Sequence, residues 1–214
     1  MKIYACLVLC AILLLFAGCS KSNGSGAPSD EKPSSKEIPA IDDSGLQAEA
    51  ALYNAEIKIE NYGLIKVELD GVNAPITVSN FVSLAKSGFY DGLTFHRIIN
   101  GFMMQGGDPD GTGTGGSGTN IKGEFALNGV KNPLSHTRGA ISMARSNDYN
   151  SASSQFFIVH KDYPSLDGQY AAFGHVTEGL DVLDKICSET PVTDNNGTVE
   201  KANQPVIASI TIID

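Results

Sequence analysis

The sequence predicts a mainly-β domain: a closed antiparallel barrel or a sandwich, with two helices packed at its ends. Three observations predict it. Short apolar runs alternate in period two, Gly, Asn and Asp separate them, and only two segments show helical periodicity. The alternating strand–helix order that builds a parallel sheet is missing.

Taken in order, Ala55 to Asp70 reads as a hairpin. Ile57 and Ile59 alternate with charged residues, Asn61-Tyr62-Gly63 supplies the turn, and Ile65, Val67 and Leu69 return on one face. Pro75 suits the first turn of a helix whose Val78, Phe81, Val82 and Ala85 recur at helical spacing and which stops at Gly88. Six strand-like runs follow: Leu93 to Ile99, Phe102 to Gln105, Ala140 to Ala144, Gln155 to His160, Ala171 to Val176 and Val206 to Ile213. A second helix fits Leu180 to Cys187, with Leu180, Leu183 and Cys187 on one side.

The N-terminal fifty residues have a different character. Met1-Lys2 precedes an apolar run from Ile3 to Ala17, shorter than the roughly 20 residues of a membrane-spanning helix, so residues 1–18 read as an export signal. Leu15-Phe16-Ala17-Gly18-Cys19 resembles the lipobox of bacterial lipoproteins, with Cys19 as the lipidated residue that becomes the mature N-terminus. Residues 19–50, rich in Ser, Pro and Gly, then form a flexible tether with a reach on the order of 30 Å. Residues 51–214 carry the function, from the extracytoplasmic face of a cell membrane. Cys6 and Cys10 leave with the signal, so Cys187 remains without a disulfide partner and is expected as a buried thiol.

Charge and motifs remove several classes. The net charge of −9, with 15 Lys and Arg scattered singly, argues against nucleic acid as a partner. Gly111 to Gly116 spells a literal G-x-G-x-x-G, yet no helix follows it, and Asp108 and Asp110 would repel phosphate. An irregular surface loop is the reading retained there, ahead of a calcium loop. His96, His136, His160 and His175 lack the spacing of a metal site, and no G-x-S-x-G elbow supports a hydrolase. No metal is expected.

One stretch stands out: Tyr90-Asp91-Gly92-Leu93-Thr94-Phe95-His96-Arg97-Ile98-Ile99-Asn100-Gly101-Phe102-Met103-Met104-Gln105-Gly106-Gly107-Asp108. With Gly113 to Gly116, Ser142-Met143-Ala144, Ser154 to Ile158 and Leu166-Asp167-Gly168 in the same order, it resembles the cyclophilin signature over residues 55 to 214. The resemblance implies a closed eight-stranded antiparallel β-barrel capped by two α-helices, peptidyl-prolyl cis-trans isomerase activity, and no cofactor.

It also implies site residues. Arg97, Gln105 and Phe102 would be catalytic, and Met103, Ala144, Arg145, Phe157, Leu166 and Tyr170 would bind substrate. The residue types suit the chemistry. Rotation about an X-Pro bond faces a barrier of about 18–20 kcal/mol because the nitrogen lone pair is delocalised. A donor that meets that nitrogen only when the bond is twisted binds the transition state selectively. Arg97 can be this donor, and strand alternation puts it on the face of Phe95, opposite His96. His96 itself is expected to be structural.

The pattern departs in places: Ser165 stands where many relatives have Trp, Tyr170 replaces a pocket His, and Arg145-Ser146 replaces Asn-Ala. The expected partners are proline-containing polypeptides and, through lipid on Cys19, a membrane; the domain is expected to be a monomer. A binding module that holds proline peptides without turnover is the rival reading. A two-lobed solute-binding lipoprotein is disfavoured by the strand-rich single domain.

Overall fold

The computed structural model describes residues 49–213. The export signal at 1–18, the lipid site at Cys19 and the tether as far as residue 48 lie outside the described residues.

The hairpin forms as β1 (Leu52–Ile59) and β2 (Gly63–Asp70), paired from Leu52–Asp70 to Ile59–Gly63. Its turn needs left-handed backbone, with φ of 63° at Asn61 and 133° at Gly63, conformations that Asn tolerates and Gly adopts freely. Ala55, Ile57, Ile59, Ile65, Val67 and Leu69 enter the core.

Helix α1 (Pro75–Lys86) starts on a proline, and Ala74 before it offers no side-chain cap. The cap comes from a distant residue. Glu124 accepts the N–H of Ile76 at 3.0 Å on one oxygen, and the N–H and hydroxyl of Thr77 at 2.8 and 2.6 Å on the other. A buried carboxylate thereby satisfies orphan donors at the positive end of the helix dipole. The inner face of α1 sends Phe81 among Tyr90, Phe156 and Phe173, with ring centroids 5.1–5.4 Å apart.

The remaining strands are β3 (Thr94–Ile99), β4 (Met103–Asp108), β5 (Ala140–Met143), β6 (Phe156–Val159), β7 (Ala172–Glu178) and β8 (Ile207–Ile213). Helix α2 (Leu180–Glu189) follows Gly179 and packs on β2, with Leu183, Ile186 and Cys187 buried and Leu180 half-buried. Burial pushes the Cys187 thiol up to about 12, which leaves it protonated and inert.

All eight strands join one antiparallel sheet in the order β3-β4-β6-β5-β7-β2-β1-β8. The sheet curls into a half-barrel rather than closing on a continuous ladder. Its edge strands β3 and β8 meet only around the start of β8: a Thr94–Val206 bridge, Phe95 N–H to Pro205 O at 2.9 Å, and Ile207 N–H to Leu93 O at 2.8 Å. Two features stop the ladder from extending. Pro205 has no N–H to give. Further along, residues 194–199 occupy the β3 edge, with Ile98 N–H bound to Gly197 O and Val199 N–H to His96 O.

Candidate active site

The site is set by an irregularity in β3. Phe95 pairs with Gly106 and Arg97 pairs with Gln105, so His96 is an extra residue against one step of β4. This bulge turns Arg97 over relative to Phe95. Alternation alone had placed the two on one face; the register corrects that. Phe95 lies in the core, edge-on to Phe156 at 5.9 Å, while Arg97 stands on the outer face of the sheet. Across that face the register runs Arg97, Gln105, Phe157, Ser142, and one step along it pairs Met103 with Val159.

Met103, Phe157, Ala140 and Val159 form a second apolar cluster on this outer face, with Phe102, Ala144, Leu166 and Tyr170 packed against it. A hollow of about 140 Å³ opens beside it. Its lining comprises Arg97, Phe102, Met103, Gln105, Ala144, Arg145, Phe157, Leu166 and Tyr170, so all nine residues singled out in the sequence meet at one place. Phe157 and Tyr170 stand edge to face at 5.9 Å, and Phe102 leans on Tyr163 at 4.4 Å.

Arg97 is held from two sides. Its Nε donates to Asn196 O at 2.8 Å and Nη2 to Asn196 Oδ1 at 3.1 Å, while Nη1 donates to Gln105 Oε1 at 3.3 Å. Gln105 in turn donates to Gln155 Oε1 at 2.9 Å, and Gln155 donates to Gly115 O at 2.8 Å. Burial draws the Arg97 guanidinium down from its ordinary value, while Tyr170 and Asp194 push it back up. It stays charged throughout the range in which the protein works. Among the described residues no carboxylate forms an ion pair with it.

Behind Phe157 lies a polar chain that sequence reasoning did not assign to the site. His136 stacks on Phe157, the ring planes within 18° and the centroids 6.0 Å apart. Its Nδ1 lies 2.8 Å from Asp167 Oδ1 and its Nε2 lies 3.0 Å from Ser142 Oγ. Burial lowers the His136 pKa against the pull of Asp167. Asp167 is itself held below the usual carboxylate range, its burial outweighed by bonds from the His136 backbone and ring. The imidazole is therefore neutral, with Nδ1–H donating to Asp167 and Nε2 accepting from the Ser142 hydroxyl. The order Ser–His–Asp is that of a nucleophilic triad, but Ser142 is 0% exposed and no acyl group can reach it. Together with Asp167, Ser142 fixes the orientation of the His136 ring that stacks on Phe157.

His136 and Asn196 lie outside every motif quoted from the sequence, while Ser142 and Gln155 lie within Ser142-Met143-Ala144 and Ser154 to Ile158 without a site role there. Asn196 meets Arg97, and Gln155 meets Gln105, from segments distant in the chain. His96 is buried against Gly113, and neither ring nitrogen has a hydrogen-bond partner among the described residues. Burial pushes its pKa down, Asp108 opposes and the Arg97 charge adds to the lowering. The Gly-rich loop folds around Asp108, which accepts N–H groups of Asp110, Thr112 and Gly113. Those amides point inward to a carboxylate, so the loop cannot cradle phosphate. Among the described residues no group of three metal-ligating side chains comes together.

A curled antiparallel sheet with an arginine set in an apolar hollow on its outer face defines a class, and comparison with known proteins gives the same one. The family model "Cyclophilin type peptidyl-prolyl cis-trans isomerase/CLD" matches residues 54–212, and the chain belongs to that family. A peptidyl-prolyl cis-trans isomerase of Helicobacter pylori is 55% identical over 128 residues, covering 59% of this chain and 76% of the relative. Peptidyl-prolyl cis-trans isomerase B of Bacillus subtilis is 51% identical over 58% of this chain and 82% of its own length. Among solved structures, a cyclophilin-type isomerase of Cryptosporidium parvum superposes with a TM-score of 0.67 at 32% identity, covering 77% of this chain and 99% of that one. The same protein crystallised in the presence of the dipeptide Ala-Pro gives 0.66 at 34% identity, over 75% and 99%. The chain is a peptidyl-prolyl cis-trans isomerase.

Proposed function

We propose that this isomerase accelerates X-Pro rotation in exported, unfolded or partly folded proteins by stabilising the twisted transition state with Arg97. The proline ring enters the hollow between Phe102, Met103, Phe157 and Leu166, which keeps water away from the imide. In the planar ground state the imide nitrogen accepts no hydrogen bond. As the bond twists, its lone pair localises and meets an Arg97 N–H, an interaction made only at the top of the barrier. Gln105 holds Arg97 and offers its amide to the substrate backbone. The main chain around Ala144 and Arg145 pairs with the extended peptide, which tolerates many flanking side chains.

One observation carries the reading: Arg97 lines an apolar hollow as a cation without a carboxylate partner among the described residues, and three of its five N–H groups are in use. The test is exchange NMR or a protease-coupled assay on a proline tetrapeptide. Arg97→Ala should fold and lose about 10²–10³ in kcat/KM, by analogy with oxyanion donors. Normal turnover by that variant would refute the role.

The setting is proposed from the sequence alone. An apolar start, Cys19 and a Ser-, Pro- and Gly-rich segment after it support a lipid anchor on the extracytoplasmic face, and we propose that the domain works there as a monomer. Cys19→Ala in the full chain should abolish labelling by a radioactive fatty acid and release the domain from the membrane fraction.

A further inference from the structure

A second, larger groove of about 530 Å³ adjoins the proline hollow, and the two share Gln105, Ala144 and Arg145. Its floor and rim are largely backbone and small polar groups, including Gly113, Gly115 and Ser151. Arg145 is the only charged residue that lines it. The proline hollow adds Arg97 and no acid. In a chain with a net charge of −9, the two connected cavities are thus lined by two cations and no carboxylate.

Arg145 is also immobilised. Its guanidinium lies 5.0 Å from the ring centres of Phe125 and Tyr149, and 4.7 Å from that of Tyr170. Nε and Nη2 donate to Gln169 O at 3.1 and 2.8 Å, and Nη1 donates to Ser146 O at 2.8 Å. All the acceptors are neutral carbonyls, and no carboxylate among the described residues forms an ion pair with it. Two N–H groups are left over from the five of a guanidinium. A surface arginine normally loses much rotamer freedom when it engages an anion, which is why exposed ion pairs are weak. Here the aromatic cage has already fixed the side chain before any anion arrives.

Nearby acids do not cancel this charge. Asp108 and Asp110 stand behind Gly115 and do not line the groove, and Asp108 is engaged by loop N–H groups. Asp148, on the turn between Ser146 and Ser151, also lies outside the lining and accepts the Asn150 N–H. The net negative charge of the whole chain is screened over about 8 Å at physiological salt, so the local lining decides what a bound peptide meets.

We infer that Arg145 is a specificity-determining residue: its caged guanidinium selects proline substrates that carry an acidic side chain, Asp or Glu, within a few residues of the proline. The inference rests on the proposed placement of proline in the hollow, since that placement lays the flanking chain over Arg145. Because the groove lies to one side of the hollow, the preference belongs to one flank of the proline only.

The test uses exchange NMR on peptide series with Glu, Gln or Lys two residues before or two residues after proline, with the full domain. Wild type should favour Glu over Lys by about three- to tenfold in kcat/KM on one flank. Arg145→Met, which keeps an apolar stem between the rings, should bring the Glu-to-Lys ratio near one; Arg145→Lys should retain part of it. Raising the ionic strength to about 1 M, where screening acts over about 3 Å, should shrink the wild-type ratio. The ratio is the readout because a purely structural clamp between residues 145 and 169 would change absolute rate and stability, and leave the ratio alone. Equal turnover of all peptides by wild type, or an unchanged ratio in Arg145→Met, overturns the inference and leaves the isomerase mechanism standing. Failure to turn over any of them would instead count against the placement of proline.

Discussion

Arg97 stands directly across the β3–β4 ladder from Gln105, and its Nη1 donates to Gln105 Oε1 at 3.3 Å. The pairing depends on the bulge at His96, without which Arg97 would face the core. Because Gln105 is neutral, it orients the guanidinium without neutralising it. Gln105→Ala should therefore lower kcat/KM by about tenfold, the size expected for a lost hydrogen bond to a charged group. Gln105→Glu should lower it further, since a carboxylate there pairs with Arg97 and competes with the substrate nitrogen. Steady-state assays of the two variants check the order; a Glu variant more active than the Ala variant would sink it.

The other support of Arg97 is Asn196, on the loop that covers the β3 edge. Gly197 beside it has a φ of 81°, and a Cβ there would collide with Ile98 O and the Ile99 side chain. Gly197→Ala should push the loop off the strand, lowering stability by about 1–3 kcal/mol and activity together. Hydrogen exchange should show lost protection at Ile98 and Val199, whose N–H groups bond Gly197 O and His96 O. Asn196→Ala removes only the side-chain contact and should reduce activity with stability unchanged.

Glu124 caps a helix 47 and 48 residues away in the chain. Glu124→Ala leaves the Ile76 and Thr77 donors buried without a partner, and should destabilise the domain by about 3 kcal/mol. Glu124→Gln keeps an acceptor and should cost less. Urea denaturation measures both, and a Glu124→Gln loss as large as that of Glu124→Ala would show that a neutral acceptor does not suffice.

Two buried histidines contribute to the acid response. Both His96 and His136 have folded pKa values below the ordinary 6.5, mainly through burial. As pH falls below about 6.5 the unfolded chain takes up protons first, so their contribution is complete above that pH and declines through the folded values. Glu124 acts in the opposite sense: burial raises its carboxyl above 4.5, which favours the folded state as pH falls. Comparing His96→Leu with wild type isolates one histidine, and the variant should lose less stability between about pH 7 and pH 5. Turnover should meanwhile change little from about pH 6 to pH 9, because neither Arg97 nor Gln105 titrates there. A bell-shaped rate profile would contradict the mechanism.

The sequence by itself determined the strands and the two helices, and its resemblance to cyclophilins named the residues that gather at the hollow. Apolar alternation and turn-forming Gly and Asn are local signals, written within each segment, and Met103 and Gln105 do share a strand face as their spacing says. What only the tertiary structure decided were relations between segments. The bulge that turns Arg97 outward is visible in the register against β4, not in β3 alone. The open seam, with residues 194–199 on the β3 edge, depends on which distant backbone groups find each other. The His136–Asp167 pair behind Phe157, the Glu124 cap and the Phe125 and Tyr170 walls of the cage around Arg145 likewise join separate segments of the chain. Hydrophobic burial chooses the face of a strand from its own residues, whereas a buried polar group must find its partner wherever the topology brings one within hydrogen-bond reach.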